Sequence, residues 1–121
     1  MNLGGGIAIW VREDLNFDII KTRSLDRTCE MQAISLPDLK LCIINVYRPP
    51  GDFNNSIDIL EQNLEQINKE FPSNTILMVG DFNIDLTKSS TACNNLIDLT
   101  LGFEMLQLVT LPTRVNENYQ L

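Results

Sequence analysis

The sequence predicts a layered α/β or α+β fold in which helices cover a sheet. Short apolar runs bounded by glycine, proline or asparagine recur along the chain, which is typical of strands. Between them lies a segment whose apolar residues recur at spacings of three and four, as in an amphipathic helix. The predicted order is several strands, a helix, a strand, a second helix and a last short strand. Such alternation is typical of helices packed on a sheet.

Strands are predicted for most of the N-terminal half. The apolar runs at residues 7–11 and 17–20 indicate two short strands, the first of them buried. Residues 29–36 alternate apolar and polar side chains, as a strand with one solvated face does. A Pro-Asp turn separates them from the more apolar run at residues 40–47. We expect a hairpin that ends at the proline pair 49–50, because proline cannot continue a ladder.

An amphipathic helix follows the hairpin. Its predicted apolar face consists of Ile57, Leu60, Leu64, Ile67 and Phe71. Either Asn55 or Ser56 is a suitable N-cap, and Pro72 stops the helix.

The C-terminal part of the chain predicts three further elements. Residues 75–80 form a continuous apolar run, which indicates a strand buried on both faces. Residues 94–101 predict a second helix with Gly102 at the C′ position. A last short strand is expected at residues 105–109.

Composition indicates one soluble globular domain over residues 1–121. Hydrophobic residues make up 44% and charged residues 21%, which is ordinary usage and unlike that of disordered chains. The net charge of −7 argues against nonspecific attachment to nucleic acid by charge alone. It does not exclude nucleic acid as a substrate, because a bound metal ion supplies positive charge.

The cysteine and histidine content limits the metal sites and disulfides that the chain can form. The three cysteines form no Cys-x-x-Cys pair and the chain has no histidine, so neither structural zinc nor a disulfide framework is expected. No apolar run approaches the roughly 20 residues that span a bilayer, and the N-terminus lacks the features of a signal peptide. The expectation is an intracellular protein, in nucleus or cytoplasm, without a membrane partner.

One polar pair stands at the end of the predicted strand 75–80. If the backbone stays extended, Asp81 and Asn83 point to the same side, because strand side chains alternate. The carboxylate can hold a metal ion or water while the carboxamide binds an oxygen. This pattern points to a phosphate with a metal ion and an attacking water. The structural alternative is an Asx-turn that merely ends the strand.

With these residues in place, the chain resembles the endonuclease/exonuclease/phosphatase superfamily. The closest similarity is to the endonuclease domain of non-LTR retrotransposon polyproteins of the jockey type. Four blocks carry the resemblance in order and spacing: residues 4–9 (GGGIAI), 44–50 (INVYRPP), 80–83 (GDFN) and 111–114 (LPTR). The resemblance implies a single partial domain over residues 1–121. It would be part of a four-layer α/β/β/α fold that lacks its first and last strands.

The resemblance also implies a reaction and a set of site residues. Members use a divalent metal, usually Mg²⁺, to hydrolyse a phosphodiester. Asp81 matches the aspartate that orients and deprotonates the water and is a possible metal ligand. Asn83 matches the asparagine that binds the scissile phosphate, and Tyr47 matches a tyrosine that touches it. Nicking one DNA strand would then prime reverse transcription.

Substrate contacts and partners follow from the same resemblance. Thr113 and Arg114 match a loop near the DNA cleft, and Arg48 is expected to contact a backbone phosphate, which positions DNA without reading its sequence. The implied partners are DNA and a flanking reverse-transcriptase domain in a longer parent protein.

The chain departs from the family pattern in ways that bear on activity. The family's metal-ligating glutamate block and its Ser-Asp-His block are not matched, and without histidine the family's catalytic histidine has no counterpart. Glu30 is expected to be exposed and without a catalytic duty. Whether the chain is an enzyme by itself is open. The expectation is a truncated, inactive endonuclease domain, and the alternative is a non-enzymatic α/β binding module co-opted from a transposon remnant.

Overall fold

The computed structural model describes residues 6–24, 29–49, 54–84 and 90–109. The chain divides into two compact units, Met1–Asn83 and Ile84–Leu121. The first contains strands β1 (Asp18–Ile20), β2 (Glu30–Leu36), β3 (Leu41–Tyr47) and β4 (Thr75–Asp81), with helix α1 (Asn54–Glu70) between β3 and β4. The second contains helix α2 (Thr91–Gly102). Within the described ranges, neither helix is long and apolar enough to cross a membrane.

The first unit is built on a mixed four-stranded sheet in the order β1-β2-β3-β4. β1 pairs antiparallel with β2, and β2 with β3, so the predicted hairpin is confirmed. A short 3-10 helix, Pro37–Leu39, turns the chain between β2 and β3. β4 then pairs parallel with β3, and α1 forms the crossover between them. This arrangement confirms a small α/β fold.

Two predicted strands do not form, and a third is less buried than expected. Residues 7–11 and 105–109 are in no strand. Ile7, Ile9 and Val11 are half-buried and alternate with exposed neighbours, but no ladder pairs them. The apolar residues at 7, 9 and 11 are thus partly buried on one side of the segment, but the segment does not form the backbone hydrogen bonds of a strand. The prediction that β4 is buried on both faces is wrong, because its residues are half-buried or exposed. β4 is the last strand of the described sheet, with a neighbour on one side only.

α1 covers one face of the sheet. Leu60, Leu64 and Ile67 are buried as predicted, and burial of each such side chain stabilises the fold by roughly 1.5–3 kcal/mol. The helix begins at Asn54, so the predicted N-caps, Asn55 and Ser56, lie inside its first turn.

Sequence periodicity also missed a polar residue that lies inside the α1 interface. Asn63 is buried, accepts a hydrogen bond from the Arg23 backbone N–H at 2.9 Å and donates one to the Arg23 carbonyl at 2.8 Å. The Asn63 carboxamide thus bonds to both backbone polar groups of Arg23, as the backbone of a neighbouring strand would. The segment before β2 is thereby fixed to the helix.

α2 of the second unit starts and ends differently from the prediction. It begins at Thr91, where the Ser90 side chain accepts a hydrogen bond from the Cys93 N–H at 3.0 Å and caps the helix. Gly102 is the last helical residue and not the C′ residue. Glu104 takes that place with φ 59°, and the Met105 N–H donates to the Thr100 carbonyl at 2.9 Å. This is the Schellman pattern, closed by a non-glycine residue.

Candidate functional site

Alternation along β3 decides which polar side chains reach the interior. Cys42, Ile44 and Val46 are buried, and the residues between them are half-buried. Arg48 stands two residues after Val46, in the same phase, and only 5% of it is exposed. Tyr47 has the opposite phase and is half-buried on the other face.

Strand register places Tyr47 beside Asp81. In the parallel pair of β3 and β4 these two residues are Cα partners, so their side chains share a face. Glu30 is the antiparallel partner of Tyr47 and falls in the same row across β2. Glu30 is half-buried there, which corrects the expectation that it is exposed. The sequence alone gave no reason to place it beside Tyr47.

The segment after β4 turns instead of staying extended. Asn83 has φ 51°, in the left-handed region, so the expectation of an extended backbone through Asn83 is wrong. Its backbone N–H donates to Asp81 Oδ1 at 3.0 Å, which is the hydrogen bond of the Asx-turn alternative. Asp81 itself is exposed and Asn83 is half-buried. A turn, and not strand alternation, brings the two residues together.

The carboxamide of Asn83 has a fixed orientation. Its Nδ2 donates to the backbone carbonyl of Arg48 at 2.6 Å. Because a carbonyl oxygen only accepts, this bond decides which amide atom is nitrogen. A carboxamide nitrogen carries two protons, so a second N–H is not used in this bond.

The guanidinium of Arg48 lies under the same turn. Its Nε donates to the Phe82 carbonyl at 2.8 Å and one terminal nitrogen donates to the Asn83 carbonyl at 3.3 Å. The Arg48 backbone N–H donates to the Asp81 carbonyl at 2.9 Å. The family resemblance implies that Arg48 contacts a DNA phosphate, and this stays a prediction. Each of the three hydrogen bonds given above is to a backbone carbonyl of the turn.

Close approach of the strands explains the glycine at the end of β4. Gly80 has φ 141°, and a Cβ built on it would overlap the Val46 carbonyl oxygen and lie 2.7 Å from the carbonyl carbon. No L-residue fits this position without moving β4 away from β3. The glycine thus allows Asp81 to lie beside Tyr47.

Cys29 is a buried thiol close to Arg48. Burial raises the pKa of the thiol from 9.0 to about 11, Arg48 acts in the opposite direction and Glu30 adds to the rise. The side chain is 1% exposed. The folded chain therefore keeps the thiol protonated where an unfolded chain would ionise it.

This shift predicts a pH dependence of stability. The thiol's contribution is complete below pH 9 and is lost as the pH rises to about 11, because the unfolded thiol ionises first. The loss amounts to about 3 kcal/mol. Under reducing conditions, urea unfolding at several pH values should show the stability advantage over Cys29→Ala shrinking across this window. An advantage that does not change with pH would contradict the shifted pKa, since all other groups are common to both chains.

The described residues do not form a metal site by themselves. No three His, Cys, Asp or Glu side chains among them lie close enough together to hold an ion. The Asp81 carboxylate and the Asn83 amide oxygen are hard donors of the kind that Mg²⁺ prefers, but a single carboxylate binds such an ion only weakly. Thr113 and Arg114 lie outside the described residues.

Comparison with known proteins identifies the lineage of this arrangement. No curated protein and no solved structure matches the chain. A family model described as endonuclease-reverse transcriptase matches residues 41–120, a span that includes Tyr47, Arg48, Asp81 and Asn83. The match confirms the resemblance to a retrotransposon endonuclease domain. The chain belongs to the endonuclease-reverse transcriptase family.

Proposed function

We propose that the chain is part of a DNA-nicking endonuclease and supplies the water-orienting and phosphate-binding side of its site. The observation that carries the proposal is the Asp81–Asn83 turn beside Tyr47. An exposed carboxylate and an amide of fixed orientation meet there at the end of two parallel strands. Family membership adds nucleic acid as the substrate class and an associated reverse-transcriptase domain.

Each residue of the turn has a separate task in this proposal. Asp81 orients the attacking water and accepts its proton. The hydrogen bond from the Asn83 N–H helps to keep the carboxylate in place. The second N–H of the Asn83 carboxamide binds a nonbridging phosphate oxygen and stabilises the charge that develops on it. The Tyr47 hydroxyl is a further donor to the same phosphate.

A divalent ion, when bound, would neutralise phosphate charge and lower the pKa of the water, and Asp81 would be one of its ligands. No three His, Cys, Asp or Glu side chains among the described residues lie close enough together to hold such an ion, and the sequence contains no histidine to act as an acid. We therefore infer that a longer polypeptide completes the site and that the sheet is part of a four-layer sandwich. The chain by itself is expected to be inactive.

Manganese broadening in NMR spectra tests the proposal on the chain itself. Mn²⁺ added to the ¹⁵N-labelled chain with a thymidine dinucleotide should broaden the amide signals of Tyr47 and residues 81–83 first. Asp81→Asn should abolish this local broadening. Asp58→Asn, at an exposed acidic position on α1, is the matched control and should leave it unchanged. Broadening centred on α1, or broadening at the turn that survives Asp81→Asn, would contradict the proposal.

A further inference from the structure

We propose that Arg48 is a positioning residue that clamps the Asp81–Asn83 turn and so holds the Asn83 carboxamide toward its target. That the Asn83 carboxamide binds a phosphate oxygen rests on the function proposed above. The clamp itself rests only on contacts in the structure. Arg48 takes part in four hydrogen bonds to the turn, two from its guanidinium, one from its backbone N–H and one to its carbonyl.

The contacts between Arg48 and Asn83 are reciprocal. The Arg48 guanidinium donates to the Asn83 carbonyl, and the Asn83 side chain donates to the Arg48 carbonyl. Rotation of the Asn83 side chain would break the second bond, and movement of its backbone would break the first. The carboxamide is thus preorganised, which is what a donor to a developing charge requires.

The backbone conformation of Asn83 explains why the turn needs additional hydrogen bonds. Asn83 is held at φ 51°, and asparagine is among the few non-glycine residues that adopt this region readily. The residual cost is offset by hydrogen bonds from a charged donor, which are stronger than those from a neutral donor. Releasing the guanidinium would leave two carbonyls without these donors and let the turn relax.

Burial separates this role from the predicted phosphate contact. Arg48 is 5% exposed and shares a cavity of only about 10 Å³ with Met31, Val46 and Leu60. A planar guanidinium binds phosphate best through two parallel donors. The Nε edge of Arg48 already faces the Phe82 and Asn83 carbonyls. In this structure the side chain therefore acts on the turn from beneath it.

Hydrogen exchange of the arginine Nε–H groups tests the clamp in the unmodified chain. Arg12 and Arg23 are exposed and serve as internal references. The Arg48 Nε–H signal should exchange about 100-fold more slowly than either, because exchange requires local opening. Exchange of Arg48 as fast as that of Arg12 overturns the proposal.

Two variants test whether the clamp sets the orientation of Asn83. Arg48→Lys keeps the charge but cannot serve both carbonyls with a planar fork, and Arg48→Met removes the donors. In both, the two Asn83 side-chain amide protons should move toward the shifts of an exposed asparagine and should exchange faster with water. Arg23→Lys is the matched control and should leave them unchanged. The backbone amide signals of β2 and β3 show whether Arg48→Lys is folded. If it is folded and the shifts and exchange of the Asn83 side-chain amide protons are unaltered, the proposal is overturned.

These readouts do not depend on cleavage. A protected Arg48 with no manganese broadening at the turn rejects the proposed function and keeps the clamp. Broadening at the turn with a freely exchanging Arg48 rejects the clamp and keeps the function.

Discussion

Replacing Gly80 by alanine is expected to lower the free energy of unfolding of the first unit by more than about 3 kcal/mol. The new methyl group would overlap the Val46 carbonyl, and the φ of 141° is one that alanine rarely adopts. Relief requires β4 to move from β3. That movement would break the bond from the Arg48 N–H to the Asp81 carbonyl and disturb the candidate site.

Two other glycines separate the causes of this loss. Gly6 has φ 104° but no atom within 4 Å of a built Cβ, so Gly6→Ala measures backbone strain alone, about 1 kcal/mol. Gly102 is helical and open, so Gly102→Ala should be neutral or stabilising by up to about 1 kcal/mol. Urea unfolding followed by circular dichroism gives all three values. A loss for Gly80→Ala no larger than that for Gly6→Ala would show that the strands separate at little cost.

Local sequence patterns correctly predicted the elements whose structure depends on residues close in sequence. The apolar spacing of α1 predicted its buried face, and the Pro-Asp turn between two apolar runs predicted the β2–β3 hairpin. Both depend on interactions between residues close in sequence, which a single sequence displays directly.

Elements that depend on distant partners were predicted less well. Residues 7–11 have the apolar character of a strand, yet strand formation needs a ladder partner that no local pattern specifies. Asn63 resembles the solvated residues of α1, because its buried bonds are to Arg23, 40 positions away in sequence. The end of α2 was misplaced because Glu104, and not a glycine, adopts the left-handed conformation.

The geometry of the candidate site was not predicted, and the roles assigned to its residues stay predictions. Asp81 and Asn83 are adjacent, but through a turn that closes on Arg48 and not through an extended strand. The burial of Arg48 could have been predicted from β3, because Arg48 continues the alternation of the buried residues Cys42, Ile44 and Val46. The parallel register that aligns Tyr47 with Asp81 was not readable, since it depends on how α1 returns the chain.

Replacing Asp81 by asparagine is expected to lower DNA nicking by about 10²–10³ in any polypeptide that carries this chain and nicks DNA. The amide keeps the shape and can still accept the bond from the Asn83 N–H through its oxygen. It can neither take a proton from water nor offer a charged ligand to a metal ion. The loss should therefore appear in the rate of the chemical step while the fold is retained.

The measurement compares supercoiled plasmid nicking with Mg²⁺ by the 121-residue chain and by a longer polypeptide that extends it into its flanking reading frame. The chain alone should leave the plasmid supercoiled, because no three metal-ligating side chains lie close together among its described residues. The longer polypeptide should nick, Asp81→Asn should abolish most of that activity, and the control Asp58→Asn should retain it. Nicking by the chain alone that is lost with Asp81→Asn would contradict the expected inactivity and support the site. Nicking by the longer polypeptide that is unchanged by Asp81→Asn would contradict the site itself, because no other described carboxylate shares the turn with Asn83.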